Sequence, residues 1–332
     1  LRRLAAVLFT GSVLVAGCSS SQGDQDPLQV AATLHAATPA NSPQQNTTPP
    51  GTVLPLDGRA TAVTVDPASR TLAVAVAAPP SVRLYSLTNL SAPARTVPLP
   101  GEVDHLDLAS GQVVASVASA GQVLRIALPA GTVTADKRDG GPADTATVGA
   151  RTLVALRDSK AVTVLDGAAT QRTIGGITSP DQVLAVGDRA VVLDRLRSAV
   201  FDLDPDNSAV GAGLRAGNGA TNAVVDRFNR VLVTATDGNE LLAFSANPLI
   251  MRQRFPLPGS PYGIAYDGKR DLAWVTLTAR NEVVGFDVAG GEPVEKHRFA
   301  TVAQPNSVAV DPDSGQVFVV SANGQGIQVI SQ

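Results

Sequence analysis

The stretch that decides the fold runs from Pro261 to Val288. It reads Pro261-Tyr-Gly-Ile-Ala-Tyr-Asp267, a turn at Gly268 to Arg270, Leu272-Ala-Trp-Val-Thr276, a loop at Ala279 to Glu282, and Val283-Val-Gly-Phe-Asp-Val288. Short apolar runs separated by turn residues predict strands joined as a meander. The middle run is apolar at successive positions, which marks a strand buried on both faces. Such a sheet needs a neighbour on each side.

The chain supplies those neighbours by repetition. Aligned on Asp267, matching positions fall at Asp66, Ala109, Gly149, Gly187, Asp226, Asp267 and Asp311, with spacings of 43, 40, 38, 39, 41 and 44 residues. Seven copies at about 40 residues match the period of four-stranded propeller blades. Each copy has a short first strand, a nearly all-apolar second one such as Leu72-Ala-Val-Ala-Val76 or Val317-Phe-Val-Val320, and a third such as Val82-Arg-Leu-Tyr85. The fourth is weaker and more polar, as an outer edge should be: Arg95-Thr-Val-Pro-Leu99, Arg252-Gln-Arg-Phe-Pro-Leu257 and Glu295-Lys-His-Arg-Phe299. The seventh copy ends after its third strand. A matching segment, Thr52-Val-Leu-Pro-Leu56, precedes the first copy. The expectation is an all-β, seven-bladed β-propeller over residues 51–332, with that N-terminal strand closing the last blade.

The copies resemble YVTN/NHL-type β-propeller repeats of secreted and surface bacterial proteins. The resemblance rests on Pro261-Tyr-Gly-Ile-Ala-Tyr-Asp267, Pro305-Asn-Ser-Val-Ala-Val-Asp311 and Phe318-Val-Val-Ser-Ala-Asn323 followed by Ile327-Gln-Val-Ile330. It covers residues 52–332 and is clear in copies one, five, six and seven. In copies two, three and four the Asp is missing. The resemblance implies a seven-bladed ring and no single activity.

The N-terminus reads as an address. Arg2 and Arg3 precede an apolar or small-residue run, Leu4 to Ala16, too short for a comfortable membrane span. It ends Leu14-Val-Ala-Gly-Cys18, which resembles the lipobox of bacterial lipoproteins, where the Cys is lipidated. Residues 1–17 are thus expected to be a lipoprotein signal peptide, and Cys18 a lipid anchor holding the protein on the extracytoplasmic face of the cell membrane. Residues 18–50, rich in Ser, Thr, Gln, Pro and Ala, lack apolar periodicity and read as a flexible tether. Cys18 is the sole cysteine, so neither a disulfide within the monomer nor a thiolate metal site forms.

Composition narrows the function classes. Hydrophobic residues are 44% and charged residues 17%, which suits a large buried core. The net charge of −3, without a Lys/Arg run beyond the first residues, opposes nucleic-acid binding. Arginine far outnumbers lysine, which occurs only at Lys137, Lys160, Lys269 and Lys296; this bias suits a GC-rich bacterial genome, actinobacterial in type.

In a propeller, the loops leading into the first strands and those between second and third strands crowd one face around the channel. Counting five residues before each aligned position gives Thr61, Asp104, Asp144, Gln182, Thr221, Tyr262 and Asn306, with His105, Asp181 and Asn222 beside them. Arg280 and Asn281 come from a second-to-third loop. Asp104, His105, Asp144, Tyr262, Arg280 and Asn306 are the candidate ligand-binding residues, Tyr262 as a stacking platform. Catalytic patterns are thin. Histidine occurs only at His35, His105 and His297, so a multi-His metal site is not expected. There is no Gly-x-Ser-x-Gly elbow, Walker loop or EF-hand spacing. The expectation is a monomeric, non-catalytic binding or scaffold protein for an envelope protein or glycan, without cofactor. The alternative is a metal-dependent propeller hydrolase or lactonase using Asp104, Asp144 and Asn306 at the channel mouth.

Overall fold

The structure is a computed structural model, and it describes Leu28, residues 34–207 and residues 209–332. The expected signal peptide and Cys18 lie outside the described residues. Seven four-stranded antiparallel sheets follow one another around a ring. Their inner strands are Ala60–Asp66, Asp107–Ala109, Pro142–Val148, Pro180–Val186, Ala220–Val225, Pro261–Asp267 and Pro305–Val310. In blades one to six the four strands are consecutive in the chain.

Blade seven is different. Its outermost strand is Thr52–Leu54, antiparallel to Ile327–Ile330, with Thr52 opposite Val329, Val53 opposite Gln328 and Leu54 opposite Ile327. This is the closure expected from the sequence. A Cβ at Gly51 would stand 2.1 Å from the Val329 carbonyl oxygen, and one at Gly326 2.3 Å from that of Leu54. Both ends of the seam therefore require glycine for the backbones to approach.

The second strands are buried along almost their full length, because each blade is packed by a neighbour on both faces. The core divides accordingly into clusters between adjacent blades. Leu54, Leu56, Val74, Phe318 and Ile327 join blade seven to blade one. The cluster between blades two and three is small, with Val114, Val123, Val154, Leu156 and Leu165 as its buried members. That same junction carries the most conspicuous buried polar residues.

The recurring aspartate holds the turn after the inner strand. Asp226 Oδ1 accepts the backbone N–H groups of Phe228 and Arg230 at 2.9 Å, and its Oδ2 accepts Arg230 Nε at 2.7 Å. Asp267 does the same for Lys269 N (2.9 Å) and Arg270 Nη1 (2.9 Å). Asp311 also receives Arg70 Nη1 from blade one at 2.9 Å, so the repeat residue ties neighbouring blades. Blades two, three and four dispense with it. Ala109 pairs with Gln112, Val148 with Arg151 and Val186 with Arg189, leaving two-residue turns. Gly111, Gly149 and Gly187 there have φ of 72°, 59° and 63°, a region costly for other residues. In these copies a glycine at positive φ, rather than a capping carboxylate, shapes the reversal.

Residues 34–50 form no strand, yet they lie along the ring. Arg195 Nη2 donates to Ala37 O at 2.8 Å, Ala40 N to Thr278 Oγ1 at 3.1 Å, Asn281 Nδ2 to Pro43 O at 2.9 Å and Gln328 Nε2 to Pro50 O at 2.9 Å. The path runs over blades four to seven and ends at the closing strand. Composition gives this segment no core of its own; polar side chains of the ring supply its partners instead.

Candidate functional site

The inner strands surround a central channel of about 490 Å³. His105, Asp107, Gln182, Asn222, Tyr262 and Asn306 line it, with Arg59, Glu102, Asp104 and Arg195 toward its mouth. Each inner strand except that of blade two has a one-residue bulge near its start, as at Thr61, Ala143, Asp181 and Thr221. The bulge corrects the sequence alignment. Asp144 and Gln182 lie one step further along the ladder than Thr61 and Thr221, because their blades turn at Gly149 and Gly187 outside the strand.

That extra step gives these residues a structural task. Asp144 Oδ2 accepts Val183 N at 2.8 Å from the next blade. Gln182 Oε1 accepts Ala223 N at 2.8 Å, Asn222 Nδ2 donates to Tyr262 O at 3.1 Å, and Ser307 Oγ accepts Val63 N at 3.2 Å. With Asp107 below, such side chains stitch five of the seven inner-strand junctions. Each bond satisfies a backbone group on the free edge of an inner strand, where the sheet offers no ladder partner. Asp107 has this role toward blade three, accepting Thr145 N and Thr145 Oγ1, each at 3.4 Å.

Asp144 is only 2% exposed. Burial, together with the charge of Asp107, pushes its carboxyl well above the usual carboxylate range; burial also raises Asp107. The two carboxyls meet at the blade two–three junction, where each like charge disfavours ionisation of the other. His105 is adjacent. Burial lowers its pKa against the opposing pull of Asp104 and Asp107. Its Nε2 is buried without a hydrogen-bond partner among the described residues.

Asp104 sits on the exposed rim. Burial raises its pKa, but His105 and Arg157 outweigh that effect and hold it below the usual range. Arg157 Nη2 stands 3.2 Å from Asp104 Oδ2, and its Nε 2.7 Å from Asp181 Oδ1, bridging blades two, three and four. Sequence reasoning named Asp181 only as a neighbour; here it accepts Ser179 Oγ at 2.7 Å and pairs with Arg157. Tyr262 lines the channel on blade six, and Arg280 is exposed beside Gly259. Asn306 Oδ1 accepts Gln304 Nε2 at 2.9 Å. His297 stacks on Trp274, centroids 5.6 Å apart, on the outer side of blade six.

The candidates therefore separate. Asp104, His105, Tyr262 and Asn306 reach the channel or its rim, whereas Asp144 is turned into a blade junction. Arg280 is outside the residues lining the channel. Among the described residues, no group of three or more His, Asp or Glu is placed to hold a metal ion. Sequence reasoning missed Gln304 and, for Asp107, the bond to the next blade; Asp107 sits where an inner strand otherwise carries apolar or small residues, a signal that was available.

These features define a class: a closed seven-bladed propeller with a polar channel, along whose blades four to seven the chain's own N-terminal segment is held. Solved structures match that ring. A virginiamycin B lyase from Staphylococcus aureus superposes with a TM-score of 0.70 at 14% identity, covering 85% of this chain and 98% of the other. Hydrazine synthase of Kuenenia stuttgartiensis gives 0.70 at 16%, covering 85% and 98%. A chain of a mitotic checkpoint complex gives 0.71 at 13%, covering 92% and 98%. At such identities the likeness shows the fold alone. No protein-family model and no curated protein matches the chain.

Proposed function

We propose that the protein is a lipid-anchored, extracytoplasmic propeller of the YVTN/NHL type that binds or scaffolds a protein or glycan of the bacterial cell envelope without catalysing a reaction. One observation carries the non-catalytic part of this reading. The acidic groups nearest the channel are already used by the fold: Asp144 and Asp107 in inter-blade bonds, Asp181 with Ser179 and Arg157, and Asp104 with Arg157. A rim held this way is rigid and pre-organised, which suits recognition. The lipobox at Leu14 to Cys18 supports the anchor, and the small, polar segment after it supports a position outside the membrane.

The test is capture from detergent-solubilised envelope with the full chain, beside the Cys18→Ala variant. The expected result is a specific envelope protein or glycan retained by the wild type, and Cys18→Ala shifted from the membrane to the soluble fraction. Membrane retention of Cys18→Ala overturns the anchor. Lactone turnover that requires an added divalent cation and is lost in Asp104→Ala overturns the non-catalytic reading.

A further inference from the structure

Residues 34–50 lie along blades four to seven, and the contacts that hold them are mostly to main chain. Gln304 Nε2 donates to Ala40 O at 2.9 Å while its Oε1 accepts Ser42 N at 3.1 Å, the paired grip that one amide side chain makes on an extended backbone. Thr278 Oγ1, Asn281 Nδ2 and Arg195 Nη2 take Ala40 N, Pro43 O and Ala37 O. Ser42 Oγ is the main side-chain anchor, donating to Thr278 O and accepting Gln304 N, each at 2.8 Å. Gln45 Nε2 adds a bond to Thr301 O at 2.9 Å.

Side-chain size is read at one point. Ala37 is 3% exposed, and a Cβ at Gly219 would stand 2.7 Å from Ala37 Cβ. The intervening Thr38, Asn41 and Gln44 are exposed and are not read. Pro39 and Pro43 keep the segment extended and reduce the entropy lost on docking.

We propose that this surface of blades four to seven is a groove for an extended, small-side-chain peptide of a partner protein, and that residues 34–46 are its intramolecular occupant, displaced when the partner binds. The proposal rests on the binding reading above and names the partner's chemistry: a proline-containing segment with Ala or Gly over Gly219 and Ser or Thr near Thr278. Tethering gives the resident segment a local concentration on the order of millimolar, so it masks the groove from weak competitors.

The experiment uses the full chain carrying Ala37→Arg and Ser42→Pro. These changes place a large charged side chain over Gly219 and remove Ser42's donors, while leaving residues 51–332 unaltered. The probe is a fluorescent synthetic peptide of residues 34–46, read by anisotropy. The expected result is binding to the variant at least ten-fold tighter than to the wild type. Equal binding to both, or none to the variant, overturns the proposal.

Should the variant fold poorly, a protease site inserted between Asn46 and Thr47 of the otherwise native chain releases the resident segment after folding. Excess labelled peptide then exchanges into the groove; failure to exchange overturns the proposal. The two readings fail separately. An envelope partner captured equally by wild type and strap-released variant keeps the binding function and removes the groove. Peptide binding without any envelope partner keeps the groove and removes the function.

Discussion

Leu54→Ala tests the ring closure most directly. Leu54 is 9% exposed and packs in one cluster with Leu56, Phe318, Val320, Ile327 and Val329. Truncating a buried leucine costs about 2–5 kcal/mol, the lower part applying where the surroundings relax. Leu54 ends a short outer strand, so about 2–3 kcal/mol is expected. For a domain this large, each kcal/mol lowers the melting temperature by about 2–4 °C; the expected fall is about 5–10 °C. Val53, its neighbour, is 40% exposed, so Val53→Ala should stay within about 0.5 kcal/mol. Thermal melts of both variants give the contrast, and hydrogen exchange of residues 327–330 locates it. The reasoning fails if Leu54→Ala melts like wild type, or if Val53→Ala costs as much as Leu54→Ala.

Two further substitutions probe the interior. Because burial raises the Asp144 and Asp107 carboxyls above their unfolded values, the folded state keeps a proton that the unfolded chain has released. The pair's contribution is fully present below the unfolded value, near the 3.8 of a free aspartate, and is lost as pH rises through the folded one. Asp144→Asn is neutral at every pH and still accepts Val183 N, so it should gain stability over wild type between pH 4 and 7; urea midpoints that differ no more at pH 7 than at pH 4 refute this. Gly285→Ala would place a Cβ 2.9 Å from the Trp274 ring, which is fully buried against His297. It should cost about 1–3 kcal/mol and shift the emission of this sole tryptophan; an unchanged melt and spectrum refute the packing.

Much of the fold was legible in the chain. The apolar runs near Leu72, Leu272 and Val317 set the second strands, because a strand buried on both faces cannot alternate. The aspartates at 66, 226, 267 and 311 marked the turns they cap. Where blades three and four turn at Gly149 and Gly187, the aligned position slipped past the strand, and Asp144 was placed in the wrong ring of side chains. The outer strands Val133–Lys137, Ala169–Ile174 and Gly213–Arg215 escaped notice because their largely exposed, polar or small residues carry no apolar pattern.

The sequence by itself determined the number of blades, the absent last strand and its replacement by Thr52–Leu54, since repetition and period are written locally. Only the tertiary structure decided which polar residues remain for a ligand. Asp144 meets Val183 across 39 residues, and Gln304 meets Ala40 across 264. Such bonds depend on how neighbouring blades and a returning chain end meet in space. No local pattern distinguishes an amide facing the channel from one holding the fold together.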